Sequence, residues 1–184
     1  GNYSLVTGYL NTVKGAGSIV GGQNNTVDGN ASIVSGVGNT DTGHRGLMAG
    51  NGNTLGGNDS VVIGTANTNN GRNGAFVGGQ LNTNEGERSA VIGGIDNHIN
   101  ASATDSIAFG ARVTVNAKDS IALGTDIESD NVQCWTLGRN LKTARDRQMI
   151  LGIGNKEDSS AMLIIGAGSN SDTEQNATRV NALT

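Results

Sequence analysis

An apolar triplet closed by glycine recurs along the whole chain. Its anchors are Gly8, Gly22, Gly36, Gly50, Gly64, Gly78, Gly93, Gly110, Gly124, Gly138, Gly152 and Gly166. The steps are 14 residues, except for a 15 and a 17 that fall together between Gly78 and Gly110. A second glycine follows seven residues later, at Gly15, Gly29, Gly43, Gly57 and Gly71. Fourteen residues are too few for a helical hairpin but suit two strands of about five residues and two bends. Glycine supplies the positive φ or tight bends that two corners per unit require. The pattern therefore predicts an all-β parallel solenoid in which each unit is one coil, hydrogen-bonded to the next. Twelve coils at ~4.8 Å make a rod of roughly 55 Å, with contacts between nearest neighbours only.

Side chains alternate between the two faces of a strand. Before each anchor, one face carries Leu5, Ile19, Ile33, Leu47, Val61, Ala75, Ala90, Ile107, Ile121, Trp135, Met149 and Leu163. The residue just before the glycine shares that face, small in Thr7, Gly21, Ser35 and Ala49, large from Ile63 onward. The opposite face carries Val6, Val20, Val34, Met48, Val62, Phe76, Val91, Ala108, Ala122, Thr136, Ile150 and Ile164. Both faces are apolar, as in a strand buried on both sides. A two-walled roll buries only one of them, and a bare apolar stripe twelve coils long exceeds what monomers expose. Self-association with closed symmetry is the simplest remedy. The stripe from Val6 through Val20, Val34, Met48, Val62, Phe76, Val91, Ala108, Ala122 and Ile150 to Ile164 is expected to be the intersubunit core.

The second strand reads differently. Asn11, Asn25, Asn39, Asn53, Asn67, Asn82 and Asn97 give way to Val113, Ile127 and Leu141, a column expected inside the roll with asparagine amides satisfying one another. Thr12, Thr26, Thr40, Thr54, Thr68 and Thr83 run beside it and are expected at solvent, as are the mixed neighbours Val13, Val27, Asp41, Leu55 and Asn69. The array thus has an Asn-cored half and an aliphatic-cored half.

Composition sharpens this picture. The 184 residues include 30 glycines, no proline and 3% aromatics, so a thin stacked core is within reach and a broad one is not. The net charge of −4 comes without a basic stripe, which argues against a nucleic-acid partner. No apolar run approaches the ~18 residues of a membrane span, so no direct membrane insertion by this segment is expected. The chain opens on Gly1 rather than Met and reads as a mature product or a cut fragment. The single Cys134 excludes an intrachain disulfide.

The units Asp105-Ser106-Ile107-Ala108-Phe109-Gly110 and Asp119-Ser120-Ile121-Ala122-Leu123-Gly124 resemble the head repeats of YadA-like trimeric autotransporter adhesins. The resemblance covers nearly all of the chain. It implies a left-handed parallel β-roll, a homotrimer, and a place on a cell surface or, since the same roll occurs in phage tail fibres, on a virion. Leu163-Ile164-Ile165-Gly166-Ala167-Gly168 followed by Thr178-Arg179-Val180-Asn181-Ala182-Leu183 looks like the exit from such a roll. Residues 1–170 are accordingly the repeat array and 171–184 an exit segment leading to a further region. The Asn-Ser-Val-Ala-Ile-Gly motif tied to collagen binding in one YadA-like head is not reproduced, because Asp105 and Asp119 stand at its Asn position. That role is not carried over.

Candidate chemistry is sparse, and neither catalysis nor a cofactor is expected. His44 and His98 lack metal-ligand spacing, and Cys134 occupies the serine column. Gly50-Asn51-Gly52-Asn53 is followed by no Lys-Ser/Thr, so it is no phosphate cradle. Asp126, Glu128 and Asp130 alternate along one strand and could hold a hard cation. The competing reading is an ion-pair ladder with Arg112 and Lys142 one coil away. The threonine ladder admits ice binding, though a plain β-propensity role explains it as well. The insertion from Ile95 to Thr104 is expected to bulge from the roll. Glu85, Glu87, Arg88, Asn97, His98 and Asn100 are the first candidate contacts for a glycan or protein on a host cell. Arg145 and Arg147, with Arg139 and Lys142, form a second candidate cluster. The expected function is a non-enzymatic fibre or adhesin head, with a pure spacer as the alternative.

Overall fold

The structure, a computed structural model, describes residues 1–76 and 78–168. The Phe76 side chain, Val77 and the expected exit segment 171–184 lie outside the described residues. The described chain has no helix and forms a parallel β-solenoid of about eleven turns. Its strands join one continuous parallel ladder. Each unit contributes a longer strand that ends around its anchor glycine and a short one after it, as in Ile19–Gln23 and Thr26–Val27. Backbone N–H groups of one coil donate to carbonyls of the next, for example Leu5 to Ser18 and Thr7 to Val20, both 2.9 Å.

The structure reverses the expected assignment of the two faces. Val20, Val34, Met48, Val62, Val91, Ala108, Ala122, Ile150 and Ile164 are buried inside a single chain, so they cannot form an intersubunit core. Val6 is 45% exposed because it lies in the first coil. The other face points outward, with Ile33 48%, Trp135 56% and Leu137 52% exposed. The reason lies in the remaining interior columns. Ser18, Asn25 and Val27 must point inward together, and alternation then places Val20, not Ile19, on the inner side. The same alternation corrects the second strand. Val27, Asp41, Leu55 and Asn69 are buried, while the threonines between them and the asparagines are half-buried.

The asparagine column is internal, as predicted. The Asn39 amide donates to Asn25 Oδ1 at 3.0 Å, and the Asn53 amide donates to Asn39 Oδ1 at 3.1 Å. Each amide also reaches carbonyls at the bend, as Asn25 does to Gly21 O (3.2 Å) and Gly36 O (2.9 Å). Side-chain donors that bind carbonyls at the bend compete with the strand ladder. Where the column turns aliphatic that competition ends, and the strands run through the corner. Ile107–Val115 and Ile121–Ser129 are nine residues each. The backbone N–H of Val113 donates to Asn97 Oδ1 at 3.0 Å and closes the last rung.

Two details of the repeat differ from expectation. Gly64 stacks on Gly79 rather than Gly78, and Gly94 rather than Gly93 pairs with Gly110. Each of these two coils carries one extra residue as a bulge before its anchor. The corner residues with φ near +55° are also mostly not glycine; Ala31, Arg45, Asp59 and Ala66 are examples. Gly15 and Gly29 instead lie where a Cβ would overlap the next coil's carbonyl. The insertion folds back more than predicted. Ile99 and Ala103 are fully buried, Ser89 Oγ donates to Ala103 O at 2.7 Å, and Asn100, Ala101 and Ser102 remain outside.

Among the described residues Asp41 is the one fully buried acidic side chain, and its Oδ2 has no partner. Burial raises its pKa, partly opposed by the Ser32 hydroxyl, the Gly43 N–H and nearby His44. A folded-state pKa above the unfolded one means that the carboxyl favours folding below about pH 4. That contribution is lost as pH rises through the folded value. Asp41→Asn, matching Asn69 in the same column, is therefore expected to raise Tm at pH 7. The gain should vanish below about pH 4. Thermal melts of both proteins across this range check it, and equal Tm values at pH 7 would contradict it.

Candidate interaction surface

The outward face of the longer strands exposes large apolar side chains along the rod. Its first column runs from Leu5 to Leu163. The second is Thr7, Gly21, Ser35 and Ala49, then large side chains such as Ile63, Phe109, Leu137 and Ile165. A third lies just past the anchors, with Tyr9, Gln23 and Val37 at one end and Ile153 at the other. Alternation lifts these columns out of the roll because the inward positions are already filled. About eleven coil steps give a length of ~53 Å, and three columns span ~13 Å, a face on the order of 700 Å². With polar side chains such as Gln23, Asn51 and Thr125 set in these columns, the apolar part of this face falls in the range of about 300–600 Å² reached by the largest patch on a monomer, which is often functional.

Apart from Arg139, which stands in the third outward column beside Ile153, the charged candidates lie elsewhere, on the corners and the second wall. Arg88 Nε donates to Asp105 Oδ1 at 2.7 Å, and Arg88 Nη1 lies 2.7 Å from Glu87 Oε1. The hydrogen bond raises the Arg88 pKa and holds the Asp105 carboxyl below its usual range. His98 Nε2 lies 3.8 Å from Glu85 Oε2. Asn100 Nδ2 reaches Asn116 Oδ1 at 3.4 Å. Asn97 does not belong to this group, because it is buried and donates to Asn82 Oδ1 at 2.9 Å and Gly110 O at 2.7 Å. Its place in the asparagine column was the signal for that.

Arg147 lies in the same corner column as Arg88 but four coils away, about 19 Å. The structure therefore does not join the two candidate clusters. Arg147 Nε donates to Gln133 Oε1 at 3.2 Å, and Arg145 Nη1 to Ser160 O at 3.2 Å.

The acidic trio forms an ion-pair ladder. Arg112 Nε lies 2.6 Å from Asp126 Oδ1, and Lys142 Nζ is 2.9 Å from Glu128 and 3.5 Å from Asp130. Asp126 sits on a corner at φ 56°, where it pairs with Arg112. The Glu128 hydrogen bond raises the Lys142 pKa. Among the described residues, no three His, Cys, Asp or Glu side chains are grouped to hold a metal ion.

Cys134 is fully buried in the serine column, where its backbone N–H donates to Ser120 Oγ at 3.1 Å and its Sγ donates to Arg145 O at 3.2 Å. Burial pushes its thiol pKa up, away from the thiolate that nucleophilic chemistry needs. His44 accepts the Asn30 N–H through Nδ1 at 3.0 Å and serves the corner backbone.

No protein-family model matches the chain, and no curated protein matches it. Its fold defines the class: an all-β, repeat-built parallel β-solenoid.

Proposed function

We propose that this chain is a non-enzymatic section of a homotrimeric surface fibre, a left-handed parallel β-roll that carries an attachment or receptor-recognition face. The outward apolar stripe carries this reading. Around a threefold axis, three copies bury it in one another and leave their polar walls to solvent. The resemblance of Asp105–Gly110 and Asp119–Gly124 to YadA-like head repeats supports the threefold number, the hand of the roll and an extracellular setting, either a cell surface or a virion tail fibre. The recognised partner is a glycan or protein of a host cell.

One observation favours a second reading, a pure spacer. Arg88, Arg112 and Lys142 are each engaged by carboxylates of a neighbouring coil. A wall whose charges satisfy one another has less to offer a ligand.

Light scattering on the purified chain is expected to give about 56 kDa, three times its 18.6 kDa. A stable monomer would overturn the fibre reading. Binding of the intact assembly to glycan or host-surface arrays then separates head from spacer, because a spacer binds nothing.

A further inference from the structure

We propose that the outward face is divided along the rod: contact between copies is concentrated from Phe109 to Ile165, and the first four coils add little to it. This rests on the fibre reading above and specifies where on that face the partner, a second copy of this chain, is held.

Two observations carry the division. In the first four coils the middle outward column is Thr7, Gly21, Ser35 and Ala49, while the column past the anchors is mixed at both ends, with Tyr9, Gln23, Val37 and Asn51 here and Thr125, Arg139 and Ile153 further along. A ridge of Leu and Ile borders this floor of small side chains on one side, which leaves two facing copies little to interdigitate along the middle column. From Phe109 onward the middle column is aromatic or aliphatic throughout, and the neighbouring column carries Trp135, 56% exposed. Large aromatic anchors set among aliphatic side chains supply most of the binding energy in protein interfaces.

The scaffold changes over the same stretch. Behind Phe109, Leu123 and Leu137 the strands run eight or nine residues without a break, from Ile107–Val115 to Trp135–Lys142, and the last two, Met149–Ile153 and Leu163–Ala167, return to five. In the first coils they are five and two residues. A continuous strand holds its outward side chains in fixed register, so Phe109, Leu123 and Leu137 are presented to a neighbour in one defined arrangement. The bulges at Gly78 and Gly93 and the insertion at Asn100–Ser102 lie before it and separate it from the first coils.

The test compares two exposed positions in the full chain. Leu137 is 52% and Ile33 48% exposed, so lysine at either place points to solvent in the single chain. Leu137→Lys is expected to weaken association at least 100-fold and to give single chains by light scattering at micromolar concentration. Ile33→Lys should change association less than tenfold. Circular dichroism identifies any variant that fails to fold, and Phe109→Lys, also outward, then replaces Leu137→Lys. Equal dissociation by both lysines would overturn the division while leaving the fibre reading intact. Retention of the assembly by Leu137→Lys and Phe109→Lys would also overturn it. A wild-type chain that is already single would remove the fibre reading and the division with it.

Discussion

Gly124→Ala is expected to abolish cooperative folding of the roll. Gly124 has φ +140°, and a Cβ there would overlap the Gly138 carbonyl oxygen of the next coil. The obstacle is backbone held by the ladder pairing of Gly124 with Gly138, so it cannot swing aside as a side-chain tip would. Separating the coils would break the hydrogen bonds on either side of the anchor. The cost should exceed about 4 kcal/mol, the range reached only by substitutions that disrupt packing or backbone outright. Domain stabilities are about 5–15 kcal/mol, so little would remain. Gly38→Ala is the control. Gly38 also has positive φ, +64°, but nothing lies within 4 Å of its would-be Cβ. It should cost only the left-handed penalty of about 1–2 kcal/mol. Thermal denaturation followed by circular dichroism distinguishes the two. A Gly124→Ala melt close to that of Gly38→Ala would refute the stacking argument.

Asn53→Leu is expected to cost about 3 kcal/mol, although leucine is at home in this column at Leu141. The Asn53 side chain donates to Asn39 Oδ1, Ala49 O and Gly64 O, and its Oδ1 accepts from both nitrogens of Asn67. Leucine silences all of these at once. The buried Asn67 Nδ2 keeps its carbonyl partners, but the Asn67 backbone N–H loses its acceptor, and a buried unpaired donor costs roughly 1–3 kcal/mol. Loss of the remaining bonds adds to this. Urea unfolding should show a lower midpoint with little change in slope. An unchanged midpoint would mean that the asparagine ladder contributes nothing net to stability.

The repeat length, the parallel stacking and the internal asparagine column were all legible in the sequence, because each is a periodic constraint that every coil restates. The ion pairs Arg112–Asp126 and Lys142–Glu128 were legible for the same reason, since fourteen residues separate each pair. The inner and outer faces of the longer strand were not. Val20 and Ile19 are equally apolar, so hydrophobicity alone cannot rank them. The polar columns could have done so. Ser18 and Asn25 both need partners inside the roll, and only one choice of faces lets them point inward together with Val20. Asp41 was equally opaque, because an acid beside two threonines reads as surface until the column above and below it, Val27 and Leu55, is seen to be internal. The site residues suffered most. Corner charges look like ligand contacts in a linear chain, and only the coil-to-coil geometry reveals that they hold one another.

The switch from Asn97 to Val113 bears on how such a rod can change its reach. A coil duplicated within the asparagine half finds the same rungs above and below it, and so does one duplicated within the aliphatic half. Either event lengthens the rod by ~4.8 Å and leaves every contact of the old coils in kind. The junction permits no such freedom. There the Asn97 side-chain Oδ1 receives the backbone N–H of Val113, from a coil with no amide in that column, and a second seam follows where the column returns to asparagine and the Asn155 Oδ1 receives the Lys142 N–H. Growth by duplication would spread outward from these seams and leave them as fixed landmarks along the rod.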